Sequence, residues 1–237
     1  MRFECASRSH VGLKRKINED SILVETERGL WVVADGMGGH EAGEVASATV
    51  VDLLRRLPET DDLDQLADAA EEALSDANAR LIDLARSSAS QRSIGTTVVG
   101  LAIANGAFRC FWMGDSRAYL LRDGEIARVS RDHSLVQTLV DAGMLKPEEA
   151  ETHERANVVT RAVGVAHTVE VDLVGGDVRL ADQFVLASDG LTRVVQDEEI
   201  AAELRRSSPE KAVDNLLDLV LARGAPDNVS IIILRVL

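Results

Sequence analysis

Four aspartates sit at the ends of apolar runs spread over the chain. Asp35 closes Leu-Trp-Val-Val-Ala-Asp-Gly, Asp115 closes Phe-Trp-Met-Gly-Asp, and Asp189 closes Phe-Val-Leu-Ala-Ser-Asp-Gly, while Asp227 precedes Asn-Val-Ser-Ile-Ile-Ile. Such runs read as buried strands, and a carboxylate at the mouth of one is costly to desolvate unless positive charge lies opposite. Several carboxylates converging from different strand ends are best neutralised by divalent cations. Carboxylates and backbone carbonyls are hard oxygen donors, which suit magnesium or manganese. Asp-Gly pairs are often only turns. Asp123-Gly124 is read that way, whereas Asp35-Gly36 and Asp189-Gly190 each follow a strand.

Other chemistries fit less well. Zinc lacks a Cys-x-x-Cys, a His-Glu-x-x-His or any histidine cluster, and His133 and His167 read as capping or surface residues. Gly36-Met37-Gly38-Gly39 could cradle a phosphate, but it matches neither Gly-x-x-x-x-Gly-Lys-Ser/Thr nor Gly-x-Gly-x-x-Gly, since residue 41 is Glu. A cysteine phosphatase loop of the form Cys-x5-Arg is excluded, because Val11 follows Cys5 and Ser116 follows Cys110 at that spacing. No Gly-x-Ser-x-Gly is present.

The elements that must position these residues can be traced from periodicity. Strands are expected at 2–8, 20–34, 95–104, 107–113, 116–122, 125–130, 169–174, 183–188 and 228–236. Helices are expected at 42–57, 62–87, 197–206 and 209–223, with short helices and loop over 133–165. Asp61 and Asp62 suit the start of the second helix, and Ser208-Pro209 the start of the last. Asn105-Gly106 is a hairpin signal, and two-residue turns join only antiparallel strands. One helix pair interrupts the strands early and another late. The economical architecture is α+β, a four-layer α/β/β/α sandwich of two antiparallel sheets flanked by helix pairs, in one domain spanning 1–237.

Composition narrows the partners. The chain has 237 residues, 26 basic and 40 acidic side chains, and a net charge of −14, which disfavours a nucleic-acid backbone as partner. Four Phe, two Trp and one Tyr leave little for base stacking. The two cysteines read as reduced thiols. No signal-peptide core and no run long enough for a bilayer is seen, so a cytoplasmic, membrane-free monomer is expected.

In order along the chain stand Gly12-x-x-Arg15-x-x-Asn18-Glu19-Asp20, Val33-Ala34-Asp35-Gly36-Met37-Gly38-Gly39-His40, Gly95-Thr96-Thr97, Gly114-Asp115-Ser116-Arg117-Ala118-Tyr119, Asp132-His133-Ser134, Ser188-Asp189-Gly190-Leu191 and Asp227-Asn228-Val229-Ser230. This ordered set resembles the metal-dependent serine/threonine protein phosphatases of the PP2C type (the PPM family) in their bacterial form, over essentially the whole chain. The resemblance implies a hydrolase of phosphoserine and phosphothreonine esters that uses a water activated by a binuclear Mn²⁺ or Mg²⁺ centre and reverses a bacterial Ser/Thr kinase. It implies Asp35 as the bridging ligand, the Gly36 carbonyl on the second metal, Asp189 and Asp227 on the first, and Asp20 as an outer or direct carboxylate. Asp115 would hold a third ion together with Asp189.

Arg15 would clamp the phosphate oxygens; on its own, Lys14-Arg15-Lys16 reads as a solvated basic turn. Animal members carry a histidine directly after Asp-Gly, where this chain has Met37. His40, three residues on, either protonates the leaving serine oxygen or orders the glycine loop, and a water of the centre is another proton source. Residues 134–162 resemble the family's flap, with Arg161 a candidate substrate contact or part of a helical surface cap. Phosphorylated proteins, among them a Ser/Thr kinase and its targets, are the implied partners. A catalytically dead scaffold of the same fold would have lost metal aspartates, which are all present here. A nucleotide-binding switch would rest on the glycine loop alone.

Overall fold

Side-chain alternation along two central strands dictates the layering. On β3 (Leu30–Met37), Leu30, Val32 and Ala34 pack into one core while Trp31 and Val33 pack into another. On β11 (Val229–Val236), Val229, Ile231 and Ile233 face one side, and Ile232, Leu234 and Val236 the other. Strands apolar on both faces must be covered twice, and here a second sheet covers one face and helices the other. A computed structural model gives the arrangement; it describes residues 1–38, 42–87, 93–150 and 152–237.

The first sheet runs β1 (Phe3–His10), β11, β10 (Gln183–Ala187), β7 (Arg117–Arg122) and β8 (Glu125–Arg128). The second runs β2 (Asp20–Glu25), β3, β5 (Val98–Ala104), β6 (Ala107–Met113) and β9 (Asp172–Asp177), with the two-residue β4 (Gly95–Thr96) on the end of β3. Every pairing is antiparallel. Helices α1 (Ala42–Leu54) and α2 (Leu63–Ser87) cover the second sheet through Ala46, Val50, Leu54, Leu66, Leu74 and Leu81. Helices α6 (Asp197–Arg206) and α7 (Pro209–Ala222) cover the first through Ile200, Leu204, Val213, Leu216 and Val220. The expected four-layer sandwich is therefore the fold.

Local signals account for much of this. Asp62 caps α2, its Oδ1 accepting from the backbone amides of Asp64 and Gln65 at 3.0 and 3.1 Å. Ser208 occupies the N-cap of α7 without a side-chain bond, and Pro209 opens that helix. Asn105 and Gly106 both adopt positive φ in the tight turn between β5 and β6, as do Asp123 and Gly124 after β7.

Several boundaries differ from expectation. The run 20–34 is a hairpin, with a 3₁₀ turn at Thr26–Arg28 between β2 and β3, and β3 continues to Met37. The run 95–104 splits at Thr97 into β4 and β5. The strand expected at 169–174 is displaced to β9. Val169 and Val171 pack on the helix-side core instead. The pairing with β6 reaches through Gly175 and Gly176, where a Cβ would lie 2.3 Å from the Arg109 guanidinium and 2.9 Å from the Phe108 ring. The glycine pair lies in an edge strand, where the missing side chains leave room for those of Arg109 and Phe108. Between lie two short flap helices, α3 (Leu135–Asp141) and α4 (Pro147–Ala150). A single helical turn unforeseen from periodicity, α5 (Asp189–Thr192), follows β10.

Gly190 in α5 is set against the start of β11, and a Cβ there would fall 1.8 Å from the Asn228 carbonyl oxygen. Backbone atoms cannot swing aside as a side chain does, so Gly190→Ala is expected to destabilise the protein by about 1–3 kcal/mol in chemical denaturation. A value within about 0.5 kcal/mol of the parent, the range of neutral surface changes, would contradict this packing.

Candidate metal centre

The aspartates meet where the two sheets open at one end. Asp20 starts β2 and stands directly opposite Asp35 on β3. Asp35 shares strand parity with Trp31 and Val33, and Asp20 with Ile22, so both belong to the face between the sheets. The other sheet brings Asp189, the first residue of α5, and Asp227, two residues before β11. β10 and β11 pair up to Ala187 and Ile231, which sets these two acids side by side. Ser188 joins the sheets: its Oγ donates to Asp20 Oδ2 at 2.8 Å and accepts from the Ser230 amide at 2.9 Å.

Hydrogen bonds fix the backbone around these acids. The Asp35 carbonyl accepts from the Thr97 amide at 2.8 Å and Thr96 Oγ1 at 2.9 Å. The Asp35 amide donates to Thr97 Oγ1 at 3.2 Å. Asn228 fastens the Arg15-bearing loop: its side-chain amide donates to the Val11 and Ile17 carbonyls at 2.9 and 3.0 Å, and its Oδ1 accepts from the Glu19 amide at 2.8 Å.

The electrostatics follow from burial and crowding. Asp20 is buried, and desolvation pushes its carboxyl up to about 7, with Asp189 and Asp227 adding to the rise against the bonds from Ser230 and Ser188. Asp35 is raised well above the carboxylate range by desolvation and then by Asp189, Asp20, Asp115 and Asp227. Asp189 is raised by desolvation, against the pull of Arg193. Asp115 reaches about 6 through desolvation and Asp189, again opposed by Arg193. Two arginines offset part of this charge. Arg15 Nη2 meets Asp227 Oδ2 at 2.7 Å. Arg193 meets Asp115 Oδ2 at 2.9 Å and Asp189 Oδ2 at 3.0 Å.

A cleft of about 260 Å³ lies over this group, lined among others by Arg15, Asp35, Gly36, Asp115, Asp189 and Asp227. Among the described residues, no three acidic, histidine or cysteine side chains already form a cage around one point. The donor set nevertheless fits hard divalent cations. It is entirely oxygen, and among the described residues Asp20 Oδ1 and Asp189 Oδ1 are buried without a hydrogen-bond partner. Carboxylates raised by one another's charge are those a cation would return to the ionised form.

A family model described as protein phosphatase 2C matches residues 8–221. The chain belongs to the protein phosphatase 2C family. It is similar to the serine/threonine protein phosphatase PstP of Mycobacterium tuberculosis, 38% identical over 231 residues, which cover 96% of this chain and 44% of the relative. The chain thus spans less than half the length of that curated relative. Among solved structures it resembles PppA, described as a key regulatory component of T6SS in Pseudomonas aeruginosa (TM-score 0.91, 42% identity, 100% of this chain and 99% of that one). It also resembles the catalytic domain of PstP in complex with two manganese ions (TM-score 0.86, 36% identity, 98% and 97% covered).

Of the residues expected at a PP2C centre, Arg15, Asp35, Gly36, Asp115, Asp189 and Asp227 line one cleft, and Asp20 lies buried behind Asp35. His40 lies outside the described residues. Arg161 does not line the cleft and pairs with Asp172 at 3.0 Å and Glu170 at 3.8 Å. His133 is neither a cap nor a surface residue; it is buried, stacks on Trp112, and its Nδ1 accepts from the Gly114 amide at 3.1 Å. Sequence reasoning missed Arg193 and the flap residue Asn157, which accepts a hydrogen bond from it. The signal for Arg193 was its place four residues after Asp189, one helical turn on. Nothing local pointed to Asn157.

The raised carboxyls make stability depend on pH in a defined direction. Asp20 and Asp115 titrate in the folded chain at about 7 and about 6, above an unfolded value near 3.9. Their contribution to the metal-free protein is therefore full below about pH 4 and lost as pH rises to about 7. Chelator-treated protein is expected to lose thermal stability over that window. At pH 8, Asp20→Asn should raise its Tm by about 3–10 °C, as relief of about 1–3 kcal/mol would. A melting temperature independent of pH from 5 to 8, or a destabilised Asp20→Asn, would contradict this charge balance.

Proposed function

We propose that the chain is a metal-dependent protein phosphatase domain that hydrolyses phosphoserine and phosphothreonine esters on protein substrates, among them a serine/threonine kinase and its targets. The observation that carries this reading is the placement of Asp20 and Asp35 from one sheet against Asp189 and Asp227 from the other, with Arg15 on the rim. Asp35, central to the group, would bridge two Mn²⁺ or Mg²⁺ ions. The Gly36 carbonyl would serve one ion, and Asp189 with Asp227 the other. Asp20 would support them from behind. Bound there, the ions supply Lewis-acid charge and an acidified water for in-line attack on phosphorus.

The chain's own side chains provide the rest. Arg15 is half-exposed and, among the described residues, held by a single ion pair to Asp227, so its planar fork can turn toward phosphate oxygens. Thr97 and Asn228 hold Asp35 and the Arg15 loop at fixed separation. His40 and water remain the two candidates for protonating the leaving oxygen. A cavity of about 370 Å³ beside the cleft, bounded by Arg193, Asn157 and the flap residues Val136 and Val140, is placed to receive substrate side chains flanking the phosphorylated residue.

Purified protein with Mn²⁺ is expected to hydrolyse an aryl phosphate and a phosphothreonine peptide, and chelator should abolish both activities. Asp35→Ala should lower kcat by about 100-fold or more. Arg15→Ala should lower kcat/KM by about 10–100-fold, the cost of a lost charged hydrogen-bonding pair. Turnover that persists in Asp35→Ala or in chelator would overturn the proposal.

A further inference from the structure

We infer that Arg193 is a built-in cation for the Asp115–Asp189 pair, closing the position where a third metal ion would bind and making the centre binuclear. This rests on the metal-centre reading above but concerns a residue to which that reading gives no part in holding metal. The guanidinium bridges the two acids, Nη2 to Asp115 Oδ2 at 2.9 Å and Nε to Asp189 Oδ2 at 3.0 Å. Its Nη1 donates to Asn157 Oδ1. All three nitrogens are engaged. The carboxylates it joins are 7% and 14% exposed, in a setting where a charged hydrogen bond is strong.

A divalent ion between Asp115 and Asp189 would have to displace this side chain. It would break both ion pairs and the bond to Asn157, and it would leave a fixed positive charge as its neighbour. The residue cannot drift far, because it is the C-cap of the short helix that Asp189 opens, with its backbone amide bonded to the Asp189 carbonyl. The rest of the centre differs. Arg15 makes one ion pair among the described residues and is 49% exposed, so it yields readily. The unpartnered Oδ1 atoms of Asp20 and Asp189 also remain available. The geometry thus leaves room for two ions and fills the third position with a guanidinium. Through Asn157 the same group ties the flap to the acids.

Counting Mn²⁺ tests this without reference to turnover. Equilibrium dialysis of the metal-free protein against Mn²⁺ up to millimolar concentration, with metal analysis, should give two ions per chain. Asp115→Asn should leave that count at two. Arg193→Ala and Arg193→Gln, each checked for folding by circular dichroism, should gain a third, weaker ion that disappears when Asp115→Asn is added. Three ions on the parent protein, a count lowered by Asp115→Asn alone, or two ions on a folded Arg193 variant would overturn the inference. If both Arg193 variants fail to fold, the parent and Asp115→Asn counts decide it. A parent that binds no Mn²⁺ at all would instead overturn the metal-centre reading on which the inference rests.

Discussion

Asp20 and Asp35 face each other across one antiparallel pair, buried at the end of a strand-lined core. Like charges directly opposite on a sheet repel, and desolvation adds to the cost. Asp189 and Asp227 approach from the other sheet and Asp115 from the connection between β6 and β7, which compounds it. The molecule can hold this arrangement only by keeping protons on the acids, by setting cationic side chains against them, or by binding metal.

The two sheets supply the rigidity. The core between them, built on Trp31, Val33, Phe184, Leu186, Ile232 and Leu234, fixes the separation of strand ends to which the acids are attached. Ser188 bonds Asp20 across the gap, Thr97 clamps the Asp35 backbone, and Asn228 secures the loop carrying Arg15 and Glu19. Close contact of Gly190 with the Asn228 carbonyl seats α5, which carries Asp189 and places Arg193 one turn later. A strained charge cluster on a stiff frame is the form that preorganised electrostatic sites take.

Strand alternation, Asn-Gly turns and helix periodicity made the layers legible before any coordinates, because each is a short-range signal that the packing then reinforces. The carboxylates were legible too, as acids at the mouths of apolar runs. What escaped were features set by distant contacts. β9 slid by three residues because the pairing follows β6 rather than its own hydrophobicity, with Gly175 and Gly176 accepting the side chains of Arg109 and Phe108. Asp20 follows no apolar run, and only an ordered set of motifs singled it out. Arg193 and Asn157 come together from α5 and the flap, and Arg161 is held by Asp172 outside the cleft. Such pairings depend on where loops return, which no local pattern encodes.

Crowded, buried carboxyls that hold protons would give them up when divalent cations bind. Calorimetric titration of the metal-free protein with Mn²⁺ at pH 6.5, in buffers of different ionisation enthalpy, measures that exchange directly. Release of about one proton per chain is expected on saturation at this pH, the amount that Asp20 and Asp115 together hold between their values of about 7 and about 6. Heats of binding identical in every buffer at pH 6.5 would show that the carboxylates are already ionised without metal and would contradict it.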